Sequence, residues 1–144
     1  MEIERKFLIK RLPDNLKDYP HQHLTQGYLN RNPVVRVRRE GNDYVLTYKG
    51  QGLLAREEYN LPLNEQAFSH LIQKADGRII EKTRYRIPYQ DYTIELDIFE
   101  GDLSPLILAE VEFESIEKAR AFQGPDWFSE DVTEDPAYHN SNMV

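Results

Sequence analysis

Apolar and charged side chains alternate with a period of two along most of this chain, so the elements the pattern predicts are strands. In the opening segment Glu2, Glu4 and Lys6 share one face while Ile3, Phe7 and Ile9 share the other. The alternation returns as Arg36/Arg38 against Val35/Val37, as Lys49 beyond Thr47, and as Arg56/Glu58 against Tyr59. Later come Lys82/Arg84/Arg86 against Thr83/Tyr85/Ile87, Glu95/Asp97 against Ile94/Leu96/Ile98, and Glu110/Glu112/Glu114 against Val111/Phe113. Strands are expected at 1–10, 22–31, 34–40, 43–50, 53–62, 79–89, 92–100 and 106–114. Turn chemistry at Asn32-Pro33, Gly41-Asn42, Gly50-Gln51-Gly52 and Gln90-Asp91 makes most neighbours antiparallel. A helix over 65–75 interrupts the strands, with Asn64 as its N-cap, a Leu63/Phe68 staple and Gly77 as its stop. A second helix runs from near Ser115 to Gly124-Pro125, and the tail from Trp127 onward is rich in turns. Repeats, low-complexity tracts and linkers are absent, so residues 1–144 read as one domain.

Strands with one ionic and one apolar face can be packed in two ways. With the apolar face inward, the charges are a wet exterior. With the ionic face inward, the sheet closes into a barrel lined by both signs of charge. Wet strand faces are usually diluted with Thr, Ser and Gln, whereas this one is mostly Arg, Lys, Asp and Glu. Buried charges of this kind need partners. Adjacent carboxylates such as Glu2 and Glu4 repel unless a cation sits between them, and their oxygens suit Mg2+ or Mn2+. Guanidinium and ammonium groups suit phosphate oxygens. A metal–phosphate ligand with several phosphates satisfies both sets at once.

Net charge sharpens this picture. At −7, with a pI of about 5.1, the chain does not suit nucleic acid or an anionic membrane surface. Its basic residues are instead focused in short runs, Arg36/Arg38/Arg39 and Lys82/Arg84/Arg86, which fit a small polyanion in a site. Cysteine is absent, which excludes disulfides and thiolate chemistry. A charged N-terminus and the lack of a long apolar run lead to the expectation of a soluble, cytoplasmic protein without a signal peptide.

The ordered series Glu2-x-Glu4-x-Lys6, Gln26-Gly27-Tyr28-Leu29, Arg36-Val37-Arg38, Thr47-Tyr48-Lys49 and Arg56-Glu57-Glu58-Tyr59 resembles the CYTH, or triphosphate tunnel metalloenzyme, superfamily. It continues through Glu81-Lys82-Thr83-Arg84-Tyr85, Glu95-Leu96-Asp97-x-Phe99, Glu110-Val111-Glu112-Phe113 and Glu130-Asp131-Val132-Thr133. The resemblance implies an α+β chain whose eight-stranded antiparallel barrel is a tunnel with the ionic face inside and helices outside. It also implies metal-dependent hydrolysis of inorganic triphosphate to diphosphate and phosphate, with Mg2+ or Mn2+ as cofactor. By position, Glu2, Glu4 and Glu112 would ligate metal, with Glu58, Asp97 and Glu110 as further ligands or orienters of water. Lys6, Arg36, Arg38, Lys49, Lys82 and Arg84 would hold the phosphates. Lys82 would stabilise charge on the transferred group, and Tyr28 would accept the water's proton. Asn60 and Ala137 depart from the family pattern, where an acid and a basic residue are frequent.

Three readings compete with this one. An adenylate cyclase would use the same site with a ribose hydroxyl in place of water. A thiamine or nucleoside triphosphatase would take another triphosphate-bearing small molecule. A non-catalytic polyphosphate or nucleotide binder would need the cations but not the carboxylates. The apolar outer face also leaves room for a homodimer. His21 and His23 share a strand face but lack a third ligand, and Trp127 with Phe128 suits packing better than base stacking.

Overall fold

The computed structural model describes residues 1–144. Ten strands are present: β1 (Glu2–Ile9), β2 (His21–Arg31), β3 (Val34–Glu40), β4 (Asp43–Lys49), β5 (Ala55–Arg56), β6 (Glu58–Leu63), β7 (Asp76–Tyr89), β8 (Tyr92–Phe99), β9 (Ile107–Glu112) and β10 (Phe128–Asp131). Two helices accompany them, α1 (Glu65–Ile72) and α2 (Ile116–Ala121). The strand order is β10-β1-β9-β8-β7-β2-β3-β4-β6, antiparallel throughout.

The expected strand at 53–62 is split at Glu57, and each half serves a different end of the sheet. β5 pairs with β1 through Glu2↔Arg56 and Ile3↔Ala55, while β6 pairs with β4 from Lys49↔Glu58 to Tyr44↔Leu63. One short stretch of chain therefore joins the two ends of the sheet, without a continuous ladder to close it. The reason lies in β1, whose flank is shared: β5 takes its beginning, and β10 takes Phe7 and Ile9. Apart from this split and the added β10, the expected strands are present.

The ionic face points inward. Outside, Phe7, Leu96, Ala109, Val111 and Phe113 pack with Ala119, Phe122, Trp127 and Phe128 into the larger core cluster. Ser115 caps α2 by accepting from the Lys118 amide, and the helix stops at Ala121, short of the expected Gly124-Pro125, because Phe122 is already extended (φ −66°, ψ 132°). Asn64 caps α1 by accepting from the Ala67 amide. α1 lies on β2, β3 and β4, with Phe68 buried against Tyr44 at 5.4 Å between rings. Gly27 makes this close approach, because a Cβ there would stand 2.8 Å from the Ala75 Cβ and 2.9 Å from Ile72 Cδ1. Inward-facing Tyr28, Val34, Ile80, Phe99 and Leu108 form a second apolar cluster with Val132 and Met143 of the tail. The barrel interior is thus ionic along its middle and apolar where the tail covers it.

One outer position breaks the apolar pattern. The Arg5 guanidinium caps α2 by donating to Ala119 O at 2.8 Å and Phe122 O at 2.9 Å, and pairs with Asp131 at 2.8 Å. Period alone places Arg5 opposite the ionic face but cannot supply its partners.

Candidate active site

Cross-strand register gathers the interior charges. β1 and β9 set Glu4 opposite Glu112 and Lys6 opposite Glu110, while β8 sets Glu95 opposite Glu110. β3 and β2 set Arg38 opposite Gln26 and Arg36 opposite Tyr28. β4 and β6 set Lys49 opposite Glu58. The resulting cavity leaves about 60 Å3 open to water, and Tyr28 and Val34 are its two hydrophobic lining residues. Of the expected site residues, Glu2, Glu4, Lys6, Tyr28, Arg36, Arg38, Lys49, Glu58, Arg84, Glu110 and Glu112 line this one cavity.

Lys82 and Asp97 stand elsewhere. Both are fully buried beneath the cavity wall rather than on it. Asp97 receives the Arg84 guanidinium on both oxygens, at 2.7 and 2.9 Å. The Lys82 ammonium lies 2.7 Å from Asp97 Oδ2 but lacks the alignment of a hydrogen bond. Burial, aided by repulsion from Arg84 and Arg38, pushes Lys82 down to about 7 against the pull of Asp97. Burial alone would raise Asp97, but Arg84 and Lys82 hold it below the ordinary carboxylate range. The pair props Arg84 from below.

The remaining cations and carboxylates pair across the lumen. Lys49 Nζ holds Glu2 at 2.9 and 3.1 Å and reaches Glu58 at 3.4 Å. Lys6 Nζ lies 3.5 Å from Glu110 and 3.9 Å from Glu4. Arg38 is pushed down to about 9 by burial, Arg36 and Arg84, which marks a cationic excess on that side. Opposite it, burial together with the Glu110 and Glu2 charges pushes Glu4 up to about 8. Glu112, nearer solvent, is raised by burial and by Glu2, Glu58 and Glu95. Glu110 Oε1 is buried and without a hydrogen-bond partner.

These observations test whether a divalent cation fits. No group of three such side chains is preset at ligating geometry. The donor chemistry nevertheless suits a hard cation: hard oxygens only, a carboxylate whose ionisation is opposed by burial and its acidic neighbours, and a buried carboxylate oxygen without a hydrogen-bond partner. Glu2, Glu4, Glu110 and Glu112 are the residues that could hold it, with Glu58 beside them.

Four polar lining residues were not among the expected site. Arg56 and Glu95 obey the period-two rule that marks Glu58 and Asp97, so the signal for them was in the pattern. Asn140 and Ser141 come from the tail, where no periodicity points inward. Asn60 accepts from the Thr47 hydroxyl at 2.6 Å and donates to Glu58 at 3.2 Å, so it orients that carboxylate. Ala137 is exposed, its amide held by Asp135. His21 and His23 do not converge: His23 lies between Glu81 and Glu100 on the exterior, and His21 binds Tyr19 O.

Residues 1–138 match the model of the CYTH domain. A protein of Nitrosomonas europaea named inorganic triphosphatase is 45% identical over 148 residues, covering 99% of this chain and 96% of that protein. Another inorganic triphosphatase, from Acetivibrio thermocellus, is 36% identical over 151 residues, covering 99% and 92%. The crystal structure of the inorganic triphosphatase NE1496 superposes with a TM-score of 0.73 at 41% identity, covering 99% of this chain and 93% of that one.

Proposed function

Because the chain belongs to the CYTH domain family, we propose that it hydrolyses inorganic triphosphate to diphosphate and phosphate inside its charged tunnel. The observation that carries the reading is the lining itself, in which carboxylates and cations are balanced across one cavity with almost no apolar surface. Triphosphate is a compact ligand of high charge, and nothing here offers a flat apolar face to a nucleobase.

Within the chain the ammonium groups neutralise the carboxylates, and the same groups separate to meet ligand. Lys6, Lys49, Arg36, Arg38 and Arg84 take phosphate oxygens by charge-assisted bonds. Glu2, Glu4, Glu110 and Glu112, with Glu58, are freed to hold Mg2+ or Mn2+. A bound metal would neutralise phosphate charge and orient the reacting groups. Water attacks the terminal phosphorus, the bridging P–O bond breaks, and diphosphate leaves with the electron pair. Arg84 faces the phosphate charge, while Lys82 and Asp97, placed beneath it, fix its position and the local potential. Glu110 and Tyr28 present polar atoms to the lumen where the water and its proton are handled. The compartment in which this proceeds is the cytoplasm. No helix is long and apolar enough to cross a membrane.

A phosphate-release panel tests the reading, with inorganic triphosphate, thiamine triphosphate and ATP as substrates and Mg2+, Mn2+ or a chelator varied. Release from inorganic triphosphate that stops with chelator is the expected result. ATP preferred, with cyclic AMP among the products, would reassign the site to a cyclase; tight binding without release would make it a binder.

A further inference from the structure

Gln26 is fully buried, does not line the cavity, and is bonded at both ends of its amide to residues that do. Arg38 Nε donates to Gln26 Oε1 at 2.9 Å. Gln26 Nε2 donates to the Tyr28 hydroxyl at 3.2 Å. The direction of both bonds is set by chemistry: a guanidinium Nε–H can only donate, so the amide oxygen must face Arg38 and the amide NH2 must face Tyr28. The phenol oxygen is therefore an acceptor toward Gln26, and its own hydrogen has no acceptor within the chain. Tyr28 lines the cavity, so that hydrogen is left for the lumen.

We propose that Gln26 is a positioning residue that fixes the hydrogen-bond polarity of Tyr28, turning the phenolic hydrogen toward the phosphate chain while aligning Arg38 on the same ligand. This rests on the triphosphatase reading and deepens it. Arg38 grips phosphate in the ground state, whereas the phenol acts on the reacting end. Gln26 couples the two, because its amide carries both the acceptor and the donor that this coupling needs. A carboxylate of the same size would keep Arg38 but reverse the Tyr28 bond, because it can only accept, and would draw the phenolic hydrogen away from the lumen.

The test is a double-mutant cycle in steady-state phosphate release from inorganic triphosphate, with Tyr28→Phe and Gln26→Glu singly and together. Gln26→Glu is expected to lower kcat by roughly tenfold or more with KM little changed, and to cost no further kcat once Tyr28 is Phe. A loss that adds in full to that of Tyr28→Phe, or a kcat within twofold of the parent, would overturn the assignment. Gln26→Met, uncharged and of similar length, runs the same cycle should the glutamate variant not fold. Its kcat loss is again expected to vanish in the Tyr28→Phe background, while its KM rises because Arg38 is no longer aligned; an additive kcat loss would overturn the assignment here too. One readout needs no activity: the phenolic carbon resonance of Tyr28, assigned through Tyr28→Phe, is expected to move in Gln26→Glu, and an unmoved resonance overturns the inference. A parent that releases no phosphate from triphosphate overturns the triphosphatase reading instead, and leaves the resonance to decide the role of Gln26.

Discussion

Two buried carboxylates show how differently one residue type is used at the residue scale. Asp97 has no exposure and is held ionised by Arg84 and Lys82, so its charge is part of the folded wall. Glu4 is also buried, but burial and the Glu110 and Glu2 charges oppose its ionisation. Removing the first charge strands two buried cations; removing the second relieves repulsion. Asp97→Asn should therefore destabilise the metal-free protein by about 3–5 kcal/mol, read from urea unfolding. Glu4→Gln should leave stability unchanged or raised in chelator, and yet abolish phosphate release. Equal destabilisation by the two variants would remove the distinction between wall and ligand. The cations divide in the same way. Arg36→Ala and Arg38→Ala should raise KM, each losing a charge-assisted contact of roughly 1.5–3 kcal/mol, because both guanidinium groups face the lumen.

At the scale of elements, the attachment of the tail is the part that sequence conveyed least. β10 reaches β1 at Phe7 and Ile9, and Thr133 Oγ1 accepts from the Lys6 amide at 2.9 Å. Burial opposes the Asp131 charge, but the Thr133 hydroxyl and amide and the Arg5 guanidinium outweigh it and hold Asp131 below the ordinary carboxylate range. A depressed carboxylate contributes stability that is present above its unfolded value and is lost as pH falls through its folded value. The melting temperature should therefore fall on acidification below about pH 4, and Asp131→Asn should flatten that part of the profile while lowering the plateau at neutral pH. An unchanged acid limb in Asp131→Asn would show that this contact does not anchor the tail. The legible and illegible parts of the sequence follow the same line. Period two exposed β1, β3, β4 and β7–β9 because the ionic and apolar faces differ so sharply there, and the Asn64 cap and the start near Ser115 announced the two helices. Asn140, Ser141 and the partners of Arg5 depend on contacts between distant segments, which no local period encodes. Lys82 and Asp97 have the right parity for the lumen, yet their depth behind Arg84 is set by the packing of neighbouring strands.

The whole molecule turns a strand pattern into a charge-balanced tunnel, and that architecture sets what it should select. Its lumen has cations enough to meet a three-phosphate chain and carboxylates enough to meet a metal, with Tyr28 and Val34 as its hydrophobic lining residues. A diphosphate would leave some of those cations bound only to their carboxylate partners, forfeiting the contacts that favour the longer chain. A nucleoside triphosphate would meet the same cations but bring a base and a ribose for which the lining has neither a stacking surface nor a polar cradle of its own. Inorganic triphosphate should therefore exceed ATP in kcat/KM by tenfold or more, a difference of about 1.4 kcal/mol in transition-state stabilisation, and diphosphate should be cleaved poorly. The comparison requires equal free metal and the same pH, because the substrates chelate Mg2+ and Mn2+ to different extents. Equal values for ATP and inorganic triphosphate would mean that a nucleoside is recognised outside the tunnel, and would move the search for specificity to the residues around its mouth.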